Sequence, residues 1–265
     1  MNKYVVMFII TCIIYMLIIE VYKYLRYGPV KYIDGDYESV LDTSTISEMI
    51  TTDNGSELHI ITWYKNSPKY LLICHSEVGN ILDTLEIANL FKESTNVVLF
   101  DYVNYGKSSN GMLSEKVLKD NVLAVWNHLT QDKDIDPAKI TLMGDRLGGS
   151  ISIWLCAFLS SHYTIYPRAL ILINAYSSGQ ECVTNIIGLN LIKLIARKEY
   201  NVYDKVGDIS NKVKILLIYD TINKHIYMQG LKLYYKLLET HSRTTLINGS
   251  LNDSVVLKKC MLLIK

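Results

Sequence analysis

The chain has 265 residues, 49% of them hydrophobic and 20% charged, a size that suits one medium α/β domain or two very small ones. Its 27 basic and 26 acidic residues leave a net charge of +1. That is no reservoir of positive charge for a long phosphate backbone, so a general nucleic-acid binder is excluded. Only 4 Pro and 14 Gly exclude a disordered or low-complexity chain, and the richness in Ile, Lys, Asn and Tyr is that of an AT-rich coding genome, such as a large DNA virus or a parasite.

Residues 4–19 read YVVMFIITCIIYMLII and carry no charge. With Val21 and Tyr22 the apolar stretch reaches about 19 residues, near the minimum that spans a hydrocarbon core. A buried first helix and a cleaved signal peptide are the rivals. Glu20-Val21-Tyr22-Lys23 lacks the small residues of a cleavage site, and a helix apolar on every face rarely opens a soluble domain. Residues 1–27 are therefore expected to form a single-pass anchor, with residues 4–22 in the bilayer. Lys3 on one side and Lys23 with Arg26 on the other leave its orientation undecided. The five cysteines (Cys12, Cys74, Cys156, Cys182, Cys260) form no CxxC pair and have no His at ligand spacing, so no metal and no other cofactor is expected. Cys74 reads as core. An odd count without a framework favours a reducing compartment, hence a cytosolic domain. The sequons at Asn54, Asn248 and Asn252 point the other way and carry little weight.

Residues 28–265 read as one domain. Asp53-Asn54-Gly55 between alternating segments predicts a hairpin. Short apolar β-runs then alternate with helical stretches. Strands are expected at 70–75, 96–102, 139–144, 169–174, 213–219 and 244–247. Helices are expected at 81–91, 114–130, 147–160 and 229–239, with one more after Asn252. Near-continuous apolar strands alternating with helices predict a doubly wound, mostly parallel sheet covered on both faces. Residues 178–212, with a helical patch at 186–195, leave room for a small lid.

One segment decides the reading. Strand KITLM runs into Gly144-Asp145-Arg146-Leu147-Gly148-Gly149 and then a helix, the strand–turn–helix context of the nucleophile elbow G-x-S-x-G. The chain from about residue 45 onward resembles the N-terminally membrane-anchored, abhydrolase-domain branch of the α/β-hydrolase superfamily, which includes depalmitoylating thioesterases. His75-Ser76-Glu77-Val78-Gly79-Asn80 matches that family's HGNAGN oxyanion segment. The segment from Asp101 to Ser108 (DYVNYGKS) is similar to its DYRGYGxS turn. Asp136-Pro137-Ala138-Lys139-Ile140 precedes the elbow as it does there, and Asn252-Asp253 closes a segment that would read GHND. The resemblance implies the α/β-hydrolase fold, but its catalytic positions are substituted here. Arg146 stands at the nucleophile and Leu251 at the histidine. Aligning Gly230-Leu231-Lys232-Leu233-Tyr234 with the family's following helix puts Ile222 at the acid, with Asp220 as the alternative. Ser76 and Glu77 replace Gly and Asn in the oxyanion segment.

Arginine stays protonated and cannot attack a carbonyl, and leucine cannot accept a proton. A carboxylate at Glu77 opposes the negative charge an oxyanion hole exists to stabilise. The expectation is a pseudo-hydrolase: a membrane-anchored binding or scaffold module, with a protein partner or an anionic small ligand at the former cleft. Two readings stand beside it. One is a structural membrane protein. The other is an active esterase or thioesterase with displaced residues, drawing on Ser76, Ser108, Ser150, Ser178, His75, His225 or Asp220. His59, His128, His162 and His241 read as surface or strand-edge residues. Arg146 is expected to pair with Glu77 or Asp145.

Overall fold

The structure, a computed structural model, describes residues 3–31, 41–179 and 199–264. The chain opens with helix α1 (Lys3–Arg26), whose apolar side chains, among them Tyr4, Met7, Phe8, Met16 and Leu17, are exposed. Among the described residues no helix is long and apolar enough to cross a membrane, so the transmembrane helix expected over residues 4–22 is not among the elements found. Two-residue strand β1 (Gly28–Pro29) follows and pairs in parallel with β5 (Val78–Gly79).

The domain is built on an eight-stranded sheet of order β10-β9-β8-β7-β4-β6-β3-β2. The hairpin β2 (Thr45–Thr51) and β3 (Glu57–Trp63) forms where alternation and Asp53-Asn54-Gly55 place it, with Gly55 at φ +82°, a conformation glycine adopts without steric cost. β3 also runs antiparallel to β6 (Asn96–Phe100). The other strands are parallel: β4 (Tyr70–Cys74), β6, β7 (Ile140–Asp145), β8 (Ala169–Ile173), β9 (Lys214–Tyr219) and β10 (Thr244–Asn248). β4, β6, β7 and β8 are buried along almost their whole length, because helices cover both faces and alternation disappears.

On one face α3 (Glu115–Asn127), α4 (Leu147–Tyr163) and α5 (Lys224–Leu238) pack Leu118, Val122, Ile151, Leu155, Leu233 and Leu237 onto the sheet. On the other, α2 (Leu85–Phe91) and α6 (Ser254–Ile264) supply Ala88, Phe91, Val256 and Cys260. The helix expected at 81–91 begins as a 3-10 turn (Ile81–Thr84) capped by the Asn80 side chain. α5 starts five residues before its expected position, where the Asn223 side chain accepts the Ile226 amide, a start signal that Ser, Thr, Asp and Asn supply. The helical patch at 186–195, most of the expected lid and Cys182 lie outside the described residues.

Candidate active site

The parallel strands deliver their carboxyl ends to one edge, where loops collect as they do in open α/β sheets. β7 turns into α4 at Arg146, which takes φ 46° and ψ −106°, a conformation rare for a residue with a side chain. Glycines permit it. A Cβ on Gly144 would lie 2.4 Å from the Gly148 carbonyl, one on Gly148 2.0 Å from the Cys74 carbonyl, and one on Gly149 2.5 Å from Ala175. The Arg146 amide donates to Ile173 O (2.8 Å), which ties the turn to the neighbouring strand. The strained turn forms with an arginine at its apex.

Arg146 Nη1 lies 3.9 Å from Glu77 Oε1, within reach of the pairing that opposite charges at these two positions suggest. Glu77 is buried. Its Oε1 accepts the Tyr176 hydroxyl (2.9 Å), and its Oε2 accepts the amide of Leu147 (3.4 Å). In a G-x-S-x-G elbow the amide after the nucleophile is one of the two donors of the oxyanion hole. Here that donor, at the positive end of α4, is turned to the chain's own carboxylate. Asp145 is half-buried, and its carboxyl is pushed up to about 6, first by burial; the Glu77 charge adds to the rise and Arg146 partly offsets it.

Glu77 is held by its backbone too. Its carbonyl accepts the Gly28 amide (2.8 Å) and the Tyr105 hydroxyl (2.8 Å). His75 is buried between Tyr102 and Tyr105, with ring centroids 4.4 and 5.1 Å away. Its Nδ1 donates to Ser76 O (2.7 Å), and burial lowers its pKa, favouring the neutral ring. Ser76 is half-buried, and its hydroxyl donates to Val78 O.

The two other positions that the family alignment matches to a triad part company. Leu251 packs into the core with Ile218, Val256 and Cys260. Ile222 is 87% exposed, so its side chain does not face the elbow beside Leu251, as the family alignment places it. Asp220, the alternative acid, closes a local turn by accepting the Ile222 amide (2.8 Å). The other candidate hydroxyls are engaged: Ser108 donates to Asp101 O (2.7 Å) and Ser150 to Tyr176 O (3.0 Å). Burial pushes the Cys74 thiol up to about 12, which leaves it in the core and un-ionised near neutrality. Among the described residues no group of His, Cys, Asp and Glu is arranged to hold a metal.

His59 and His241, expected at the surface or at a strand edge, are buried. His241 Nε2 donates to Ile209 O (2.7 Å). His59 lies between Ser47 and Asp101, with Nε2 2.8 Å from Ser47 Oγ and Nδ1 3.4 Å from Asp101 Oδ2. Sequence reasoning missed this Ser–His–Asp chain, and it missed Tyr176, which lies 99 residues from the carboxylate it binds.

No family model matches the chain. Among solved structures, an alpha-beta hydrolase from Vibrio vulnificus superposes with a TM-score of 0.73 at 21% identity, covering 89% of this chain and 86% of that one. The Pyrococcus furiosus esterase Pf2001 gives 0.72 at 14% identity, covering 89% and 98%. The chain has the α/β-hydrolase fold. The hydrolase-like chain also has relatives in sequence. The alpha/beta hydrolase domain-containing protein WAV2 of Arabidopsis thaliana is 26% identical over 161 residues, 55% of this chain and 51% of that protein. An uncharacterized protein of Acanthamoeba polyphaga mimivirus is 27% identical over 216 residues, 77% of this chain and 74% of its own length. The chain thus spans about half the length of the plant relative and three quarters of the viral one.

Proposed function

We propose that the chain is a pseudo-hydrolase: an α/β-hydrolase-fold protein that has given up ester chemistry at the elbow and serves as a binding or scaffold module. The observation that carries this reading is the Glu77 carboxylate on the Leu147 amide. A transition-state oxyanion would have to displace a buried negative charge from that donor, and electrostatic stabilisation there is usually the largest single catalytic contribution. Arg146 offers no nucleophile and Leu251 no base, and a triad works as a unit. An anionic ligand entering the cleft meets the same plug and has to compete with Glu77 for Arg146.

The exposed apolar side chains of α1 support attachment to a bilayer, with the bulk of the chain on the cytosolic side. Fractionation tests it: the intact chain should pellet with membranes and be released by detergent. Recovery in the soluble fraction overturns the attachment.

The catalytic part is tested by incubating the intact chain with a fluorophosphonate probe and with p-nitrophenyl butyrate. The reading expects neither labelling nor turnover above a heat-killed control. A second reading rests on Ser47, His59 and Asp101, which are linked in the order a serine hydrolase uses, with exposed serine, buried histidine and buried aspartate. Labelling that disappears in Ser47→Ala would replace the first reading with this one.

A further inference from the structure

The sheet ends at β10, which has a strand neighbour on one side only. Against that edge lies a hollow of about 490 Å³, in the range of small-molecule pockets. Lys214, Arg243 and Lys259 line it, and no acidic residue does. None of these three cations has an ion-pair partner among the described residues. The apolar part of the lining is formed by Leu262 and Leu263, and Leu262 is 66% exposed. Thr244 lines the same hollow, and among the described residues its buried hydroxyl has no hydrogen-bond partner, an arrangement that costs free energy unless something supplies the partner.

Cations on an open edge discourage strand-to-strand aggregation. That accounts for the charges, but not for the apolar floor or the orphaned hydroxyl beside them. A second copy docking by twofold symmetry would bring the same three cations together, which is repulsive. Inorganic phosphate would leave the leucines wet, and a neutral alkyl chain would leave the charges unused. We infer that this hollow binds a single-chain anionic amphiphile, a long-chain fatty-acid carboxylate, with its head group among Lys214, Arg243 and Lys259 and its alkyl chain on Leu262 and Leu263.

The test is equilibrium dialysis of the intact chain against radiolabelled palmitate below its micelle concentration, with the Arg243→Glu/Lys259→Glu variant in parallel. The inference expects one charge-dependent palmitate per chain, and an affinity loss of roughly tenfold or more in the variant at an unchanged melting temperature. Hexadecanol should bind more weakly than palmitate, and phosphate should not displace palmitate. The exposed apolar side chains of α1 can also take up palmitate, but the paired substitutions do not touch them. Binding unchanged in the variant, equal binding of hexadecanol, displacement by phosphate, or a stable dimer that palmitate does not disperse would each overturn the assignment. If the paired variant melts early, Leu262→Asp takes its place, with the same expected loss and the same refutation.

Discussion

Replacing Asp145 with asparagine should stabilise the protein, and only above the acid range. The carboxyl stands at about 6 against an ordinary 3.8, chiefly because the fold removes it from water. A folded-state pKa above the unfolded value means that the native state holds a proton the unfolded chain releases. The resulting stability is fully present below about pH 4 and is lost as pH rises through about 6. A rise of roughly two units corresponds to about 3 kcal/mol, and about half of that is expected after allowing for solvent around a half-buried carboxylate. Asp145→Asn removes the ionisation. Urea denaturation followed by tryptophan fluorescence at about pH 4, 5, 6 and 7.5 should find the two proteins within error at the acid end. The variant should be ahead by about 1.5 kcal/mol at the neutral end. An advantage independent of pH would show that shape, not charge, governs this position. No advantage at any pH would show that the elbow leaves the carboxylate well hydrated.

Gly148→Ala places a methyl 2.0 Å from the Cys74 carbonyl oxygen and 2.5 Å from that of His75. It should cost at least about 3 kcal/mol or abolish soluble expression, which thermal melting and yield will read. Arg146→Ser restores a hydroxyl at the apex but neither base nor open oxyanion hole, so p-nitrophenyl butyrate turnover should stay at background; a burst of p-nitrophenol would contradict the assignment of Glu77 as a plug. Iodoacetamide at about pH 8 should label exposed Cys12 and spare Cys74, whose thiol is held at about 12. Peptide mapping should find Cys74 modified only after denaturation.

How much of this was legible beforehand depends on the range of the interactions. The hairpin, the parallel strands and the elbow are set by neighbours in sequence: alternation in 45–63, buried runs such as ALILI, and glycines at 144, 148 and 149. All of them form where the pattern places them. α5 begins early because the Asn223 side chain caps it ahead of the stretch where helical periodicity is evident. His59 and His241 were misplaced because nothing local marks their partners: Asp101 lies 42 residues from His59, and Ile209 lies 32 from His241. The difference at Glu77 was visible as a carboxylate where the resembled segment has a neutral amide. Its seat on the Leu147 amide, held by Tyr176, was not, because three separate loops make it. Ile222 fell at the acid by alignment alone, and its side chain faces water.

The parallel pairing of Gly28–Pro29 with Val78–Gly79 has a mechanical consequence. The Gly28 amide, two residues beyond α1, is bonded to the carbonyl of Glu77 itself, so a pull on the first helix arrives two residues on at the backbone carrying the plug. A force or a docking event at the amino-terminal end has a short rigid lever to the elbow, with no flexible tether between them to absorb it.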